Sequence, residues 1–175
     1  MGRCLKNVVC DVLFRNTGST TTLLEALTND RVDVKIVKEE IINNHKFASK
    51  YAWNNNIILR ATTLQVSGID ISNNIVLYDP KKIGRFKTPS PIKNYSFPIG
   101  RLLESVENRR VITGSTTRKN NYLDDFCKFN NLIMSEYPVK EYQIVYNGDV
   151  YFYIIEQYLI DNILRLLNNS YKDEG

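Results

Sequence analysis

The sequence predicts an α+β fold in which one antiparallel sheet carries helices on one of its faces. Asn147-Gly148 is a strong signal for a two-residue hairpin, because both central residues of such a turn need a positive φ angle. Most of the predicted strands follow one another closely enough for antiparallel pairing, and segments with helical spacing are inserted between them. This pattern is typical of a sheet with helices gathered on one side.

The N-terminal half supplies a short amphipathic start, a helix and up to three strands. "NTGSTTTLLEAL" predicts a loop followed by a helix, with Thr22-x-x-Glu25 as a capping box. "RVDVKIVKEEI" alternates as a strand from Val32 to Val37. "NNIILRATTLQVSG" predicts a strand that ends at Val66 and turns near Ser67-Gly68, and "IDISNNIVLY" is either its continuation or its return strand.

The C-terminal half alternates loop, helix and strand before it ends in the hairpin. "DPKKIGRFKTPSPIKN" predicts a long loop. "SFPIGRLLESV" predicts a helix, with Ser96 and Pro98 as its start signal. "RRVITGSTT" predicts a strand and "NNYLDDFCKF" a short helix. "YPVKEYQIVYNGDVYFYIIEQYL" supplies both strands of the hairpin around Asn147-Gly148.

Length and composition indicate one globular domain over residues 1–175. Hydrophobic residues make up 43% of the chain and charged residues 24%, which is ordinary for a protein with a packed core. The net charge of +4 is mild, and Lys and Arg are scattered rather than clustered. Such a field suits a small anion as well as it suits nucleic acid, so charge alone does not decide between these partners.

The cysteine and histidine content argues against several site types. Cys4, Cys10 and Cys127 form no C-x-x-C pair, and their odd number argues for a reducing compartment. The only histidine, His45, lies in the polar stretch "NNHKF", where we expect a solvated loop residue. A histidine-based metal site or a Ser-His-Asp triad is therefore not expected, and we predict no metal and no cofactor.

Nothing in the sequence predicts a membrane partner. "VVCDVLF" is too short for a membrane span or a signal peptide and is interrupted by Asp11. "MGRCLK" has Lys6 where a myristoylation signal requires Ser or Thr. We expect a cytoplasmic protein, or a stromal one if the chain is encoded by an algal plastid.

Two charged side chains lie in strand segments with apolar neighbours. Arg60 shares its predicted face with Ile58 and Leu64, so it is either buried beside an anionic partner or snorkelling at a strand end. Glu156 lies in a strand that is apolar on both faces, where a buried, ionised and unpaired carboxylate would be too costly. If buried, it either pairs with a cation or keeps a raised pKa and a proton to donate.

Two predicted helix starts add possible anion sites. Backbone N–H groups at a helix N-terminus attract anions, and the starts at Gly18-Ser19-Thr20 and Pro98-Ile99-Gly100 are small or tightly turned. An arginine, two helix starts and an isolated carboxylate would together suit a small acid, with its carboxylate at one end and a hydroxyl group at the other.

These segments, taken in order, resemble the chorismate pyruvate-lyase family. The resemblance rests on "NTGSTTTLLEALTNDRVDVKIVKEEI", the "LRATTLQV" strand, "FPIGRLLESVENRRVI" and "EYQIVYNGDVYFYIIEQY", and it covers about Asp11 to Ile160. The chain is more similar to the short archaeal and cyanobacterial or algal members than to the ubiquinone-pathway enzymes.

The resemblance implies a six-stranded antiparallel sheet with helices on one face that enclose a small-molecule pocket. It also implies a lyase that converts chorismate to 4-hydroxybenzoate and pyruvate without a cofactor. By motif position, Arg60 would bind the ring carboxylate, with the backbone amides of Thr20 and Ile99 completing the cradle beside Ser19 and Gly100. Glu156 would handle the proton at the hydroxyl end.

Two alternatives to the lyase remain open at this point. The same fold serves, by resemblance, as the effector-binding UTRA domain of GntR-type regulators, so the chain could be a non-catalytic sensor of small aromatic acids. The second alternative is a basic nucleic-acid-binding domain whose eleven tyrosines stack on bases. Most of these tyrosines fall in predicted strands, where packing explains them better, so we expect a small-molecule ligand and no nucleic acid.

Overall fold

The computed structural model of the chain describes residues 4–43, 45–83, 99, 109–116 and 138–170. These residues form a single sheet of six strands together with five helices. In chain order the elements are α1 (Leu5–Arg15), α2 (Thr20–Thr28), β1 (Val32–Asn43), α3 (His45–Tyr51), β2 (Asn56–Val66), β3 (Ile69–Tyr78), α4 (Pro80–Ile83), β4 (Arg109–Thr116), β5 (Val139–Tyr146), β6 (Asp149–Tyr158) and α5 (Ile160–Ser170).

Two hairpins form the centre of the sheet. The strand order is β1-β2-β3-β6-β5-β4, and every neighbouring pair is antiparallel. Ser67-Gly68 joins β2 to β3 with φ angles of 49° and 75°, and Asn147-Gly148 joins β5 to β6 with 49° and 83°. Positive φ at both central residues is the requirement of the tight hairpin turn. "IDISNNIVLY" is therefore a return strand, and the predicted α+β fold with one six-stranded antiparallel sheet is confirmed.

The two faces of the sheet are covered differently. Helices α1, α2 and α5 pack together over one end of one face, around the buried side chains of Leu13, Leu24 and Tyr158. On the opposite face, α3 and the residues after it pack Phe47 and Trp53 against β2, β3 and β6. The middle of the first face holds a cavity beside α2, so this face positions the candidate site.

Helix α2 begins earlier than the capping-box pattern predicts. Ser19 is the N-cap, and its Oγ accepts the Thr22 N–H at 3.3 Å. Glu25, the predicted partner of Thr22, instead accepts the N–H of Val32 at 3.0 Å and fixes the turn into β1. The capping box at Thr22 is therefore wrong, because the serine three residues earlier supplies the same hydroxyl acceptor. Asn29, with φ of 52°, ends the helix in the left-handed conformation.

Four helices go beyond the sequence prediction, and one of them is the short α4, which occupies the start of the predicted long loop. The amphipathic start is the helix α1, and His45 begins α3 rather than lying in a loop. α5 follows the hairpin directly, and its apolar side chains at helical spacing are a signal that the prediction did not use. β1 is also longer than predicted and continues to Asn43 along the edge of the sheet.

Several predicted features fall on residues that the structure does not describe. These are the loop after Ile83, the helix from Pro98 except Ile99, the short helix over 120–129, and Cys127. Cys4 and Cys10 are free thiols. Among the described helices, none is long and apolar enough to cross a membrane.

Candidate ligand-binding site

A cavity lies on the face of the sheet that α1, α2 and α5 cover, between the central strands and the start of α2. It comprises about 500 Å³ of space, part of which is open to solvent. The described polar residues that line it are Thr20, Thr21, Arg60, Thr62, Asn74, Arg110, Tyr142 and Glu156. The described apolar residues that line it are Val34, Leu64, Val76, Ile99, Ile144 and Ile154.

Strand register explains which side chains share the cavity floor. Arg60 pairs with Val76, Val76 with Ile154, and Ile154 with Tyr142, so these four form one row across four strands. Directly paired residues of antiparallel strands point to the same face. The row therefore has a cation at one end, a phenol at the other and two apolar side chains between them.

A parallel row two residues along the strands brings Glu156 to the cavity. It runs from Asn74 through Glu156 to Lys140. Glu156 is 4% exposed. One carboxylate oxygen accepts the Tyr142 hydroxyl at 3.0 Å, and the other accepts the hydroxyls of Thr20 at 2.9 Å and Tyr158 at 2.8 Å. Three hydroxyl donors thus stabilise a carboxylate that water hardly reaches.

Lys140 completes this buried polar cluster. Its ammonium lies 3.5 Å from a carboxylate oxygen of Glu156, and it is 1% exposed. It also donates to the carbonyl of Leu13 at 3.1 Å and to that of Asn16 at 3.4 Å, at the C-terminal end of α1. A cation at this end of a helix is favourable. Glu156 therefore pairs with a cation, which is the first of the two possibilities that its burial left open.

Burial sets the protonation of the groups around Glu156. It lowers the pKa of Lys140, while the attraction of Glu156 opposes that shift. Burial raises the pKa of Tyr142 and of Tyr158 well above 10, and the negative charge of Glu156 raises both further. Both phenols are therefore neutral hydrogen-bond donors near neutral pH, as the contacts to Glu156 require.

Arg60 is buried rather than snorkelling at a strand end. It lies in the middle of β2 and is 1% exposed. Its Nε lies 3.5 Å from Oε2 of Glu39, the residue paired with it on β1, and Glu39 is itself 28% exposed. Of the two interpretations of Arg60, the structure therefore supports the buried arginine with an anionic neighbour. The same side chain lines the cavity.

The structure brings four of the six predicted site residues to the cavity. Thr20, at the first position of α2, lines it together with Arg60, Ile99 and Glu156. Ser19 caps α2 and does not appear among the described lining residues. Gly100 lies outside the described residues. The ligand contacts assigned to these residues stay predictions.

The cavity and cluster residues that were not predicted include Asn74, Arg110, Lys140 and Tyr142. Lys140 and Tyr142 alternate with Ile144 on β5, so period-2 spacing places the three on one face. That spacing does not tell which residue of β6 each one meets. Arg110 stands in "RRVITGSTT", where either arginine could face inward.

Comparisons with known proteins support the fold only. No family model matches the chain, and no curated protein matches it. The chain is similar to the effector domain of PhnF from Mycobacterium smegmatis, with a TM-score of 0.53, 9% identity, and 82% of this chain and 89% of that chain covered. It is also similar to PhnF itself from that organism, with a TM-score of 0.52, 9% identity, and 82% and 64% covered.

A third solved structure has a lower score. The ligand-binding domain of a putative GntR-family transcriptional regulator from Bordetella bronchiseptica has a TM-score of 0.48, 11% identity, and 75% of this chain and 87% of that chain covered. The chain thus has the fold of the PhnF effector domain, as the first two matches show, and identities near one residue in ten carry no assignment of activity.

Proposed function

We propose that this chain is a ligand-binding domain of the effector type, which holds a small organic acid in the cavity beside α2. The observation that carries the proposal is Arg60, a buried arginine that lines the cavity beside a row of apolar side chains. A guanidinium can bind a carboxylate through two parallel N–H···O bonds. The apolar side chains of Val76 and Ile154 suit the hydrocarbon body of the acid.

The start of α2 supports the same ligand class. Ser19 takes up the N–H of Thr22 through its hydroxyl and that of Leu23 through its carbonyl. The first N–H groups of a helix have no acceptor within the helix, so those of Thr20 and Thr21 remain at the cavity end. Both residues are buried and line the cavity, where N–H groups favour a negative charge.

The sensor interpretation agrees with the surroundings of Glu156. Three hydroxyl groups and Lys140 already occupy its carboxylate, which suits a fixed anchor for α2 and the end of α1. The similarity to the effector domain of PhnF supports the same interpretation. The ligand class we favour is the aromatic acids, the class that the sequence resemblance implies, and 4-hydroxybenzoate serves as a probe for it.

A lyase of the chorismate type is the second candidate. The observation that favours it is that Arg60 and Glu156, the two residues to which the resemblance gives chemical roles, line one cavity. In this reaction the ether bond of chorismate breaks, a ring proton is lost and 4-hydroxybenzoate and pyruvate form. Arg60 would hold the ring carboxylate, and Glu156 would take up or relay the proton.

Binding is tested first, by calorimetric titration of the wild type with 4-hydroxybenzoate and with its neutral amide. We expect the acid to bind and the amide to bind at least about tenfold more weakly, since a charged hydrogen-bond pair is lost. Arg60→Lys should lose most of the affinity, because lysine lacks the two-pronged contact. Arg31→Ala removes one positive charge at an exposed position and is the matched control for Arg60→Ala. Unchanged affinity in Arg60→Ala would remove Arg60 from the site.

Catalysis is tested separately by incubation with chorismate and a coupled assay for pyruvate. A sensor releases no pyruvate with either wild type or Glu156→Gln. A lyase releases it, and the substitution should lower the rate by roughly 10²–10⁴-fold while 4-hydroxybenzoate still binds. A wild type that turns over chorismate while Glu156→Gln is equally fast would exclude Glu156 as the proton-handling group.

A further inference from the structure

A second arginine reaches the cavity from the side opposite Arg60. Arg110 lies on β4, at one edge of the sheet, whereas Arg60 lies on β2 near the other edge. Four strand spacings separate their backbones, or roughly 19 Å along a flat sheet. Both residues nevertheless line the same cavity. The two cations therefore flank the cavity rather than sharing one position in it.

The charges around the cavity leave Arg110 uncompensated within the described part of the chain. Lys140 pairs with Glu156, and Arg60 has Glu39 beside it. No described carboxylate lies within ion-pair distance of Arg110, and its buried Nε has no hydrogen-bond partner among the described residues. A buried guanidinium N–H without an acceptor is costly, since arginine has five donors and no way to lose its charge.

The surface between the two arginines is mainly apolar. Val76 and Ile154 continue the row that starts at Arg60, and Ile144 is the direct partner of Arg110 on β5. Tyr142 is the polar member of this described group, and its hydroxyl donates to Glu156. The floor thus offers a hydrocarbon surface with one guanidinium at each side.

We propose that Arg110 forms a second anion subsite, and that the bound ligand is a small diacid with its acidic groups at opposite ends of an apolar body. The inference rests on the proposed function for the end of the ligand that Arg60 binds. Arg110 adds selectivity for the second acidic group. A monoacid occupies only the Arg60 end and leaves the Nε of Arg110 without an acceptor.

The test compares monoacids and diacids of one ring size. Benzoate is titrated against isophthalate, terephthalate and 4-(carboxymethyl)benzoate near pH 7, where all carboxyl groups are ionised. The three diacids differ in the separation of their acidic groups, so the test does not require one particular distance between the two arginines. We expect at least one diacid to bind at least about tenfold more tightly than benzoate.

Variants on β4 assign that gain to Arg110. Arg110→Gln should reduce the diacid gain to less than about threefold and leave benzoate affinity nearly unchanged, while Arg110→Lys keeps part of the gain through its charge. Arg109→Gln removes the same charge at the next residue, which is exposed, and should leave the gain intact. Far-ultraviolet circular dichroism confirms that each variant is folded before titration.

The outcomes separate this inference from the proposed function. If benzoate binds and depends on Arg60 while no diacid gains, or if the gain survives in Arg110→Gln, the second subsite is refuted and the acid-binding function stands. If the diacid gain depends on Arg110 but Arg60→Ala changes no affinity, the subsite stands and the role of Arg60 is refuted. If no acid binds to the wild type, both are refuted.

Discussion

The buried pair between Glu156 and Lys140 gives the sharpest prediction for stability. Both side chains are almost fully excluded from water, at 4% and 1% exposure. Glu156→Gln removes the charge that faces the ammonium and leaves Lys140 neutral acceptors, the carbonyls of Leu13 and Asn16 and the glutamine oxygen. Breaking a buried ion pair by removing one partner costs roughly 3–5 kcal/mol. Because those carbonyls and the glutamine oxygen remain, we expect the lower end, about 3 kcal/mol.

A double-mutant cycle isolates the pair from its surroundings. Lys140→Met leaves Glu156 with three hydroxyl donors but no cation, and it should destabilise the fold by a similar amount. In the double variant neither charge remains, so its loss should be smaller than the sum of the two single losses. We expect a coupling free energy of about 2 kcal/mol, within the range for residues in one network.

The assay is urea unfolding followed by tryptophan fluorescence. Trp53 is the only tryptophan, it is 6% exposed, and its indole N–H donates to the carbonyl of Val150 at 2.8 Å. It reports on the opposite face of the sheet and therefore on global unfolding. Lys6→Met, which breaks the exposed pair with Asp161, is the control and should have a much smaller effect. Strictly additive losses, or single losses below about 1 kcal/mol, would refute a stabilising buried pair.

Three further predictions concern local structure and pH. Ser19→Ala removes the N-cap of α2 and should cost about 1 kcal/mol in urea unfolding, and an unchanged midpoint would contradict the cap. Gly148→Ala forces a side chain into a φ of 83° and should cost about 1 kcal/mol, whereas a stabilised variant would contradict the strained turn. Burial raises the pKa of Tyr158 above its unfolded value, so the folded state keeps a proton that the unfolded chain loses. The stabilisation that comes from this raised pKa is complete below about pH 10 and is lost as the pH rises further. Tyr158→Phe should therefore flatten the alkaline loss of stability, and parallel pH profiles of the two proteins would contradict this.

The sequence by itself determined the features that depend on local backbone geometry. Asn147-Gly148 predicts its hairpin because few residue pairs tolerate two consecutive positive φ angles, and the turn near Ser67-Gly68 has the same origin. Period-2 spacing identified the strands, and their proximity along the chain predicted antiparallel pairing. The apolar residues that precede Glu156, Tyr153, Ile154 and Ile155, also predicted that this carboxylate, if buried, either pairs with a cation or keeps a proton.

Only the tertiary structure decided which charges meet. If the β5–β6 pairing continued from the turn at Asn147-Gly148 without a shift, Glu156 would lie opposite Val139. A register shift between Ile144 and Val145 instead places Lys140 opposite Glu156. A one-residue shift reverses which side chains share a face, and no local preference in this sequence marks its position.

The placement of Arg60 and Arg110 around one cavity has a similar cause. They lie on strands joined through three others, so their relation depends on the order β2-β3-β6-β5-β4 and on the curvature of the whole sheet. The C-terminal carbonyls of α1 likewise reach Lys140 only because α1 packs on α5. Local backbone preferences act over a few residues, whereas the charge pairing of a buried site depends on how distant segments pack, and this chain places its site where such segments converge.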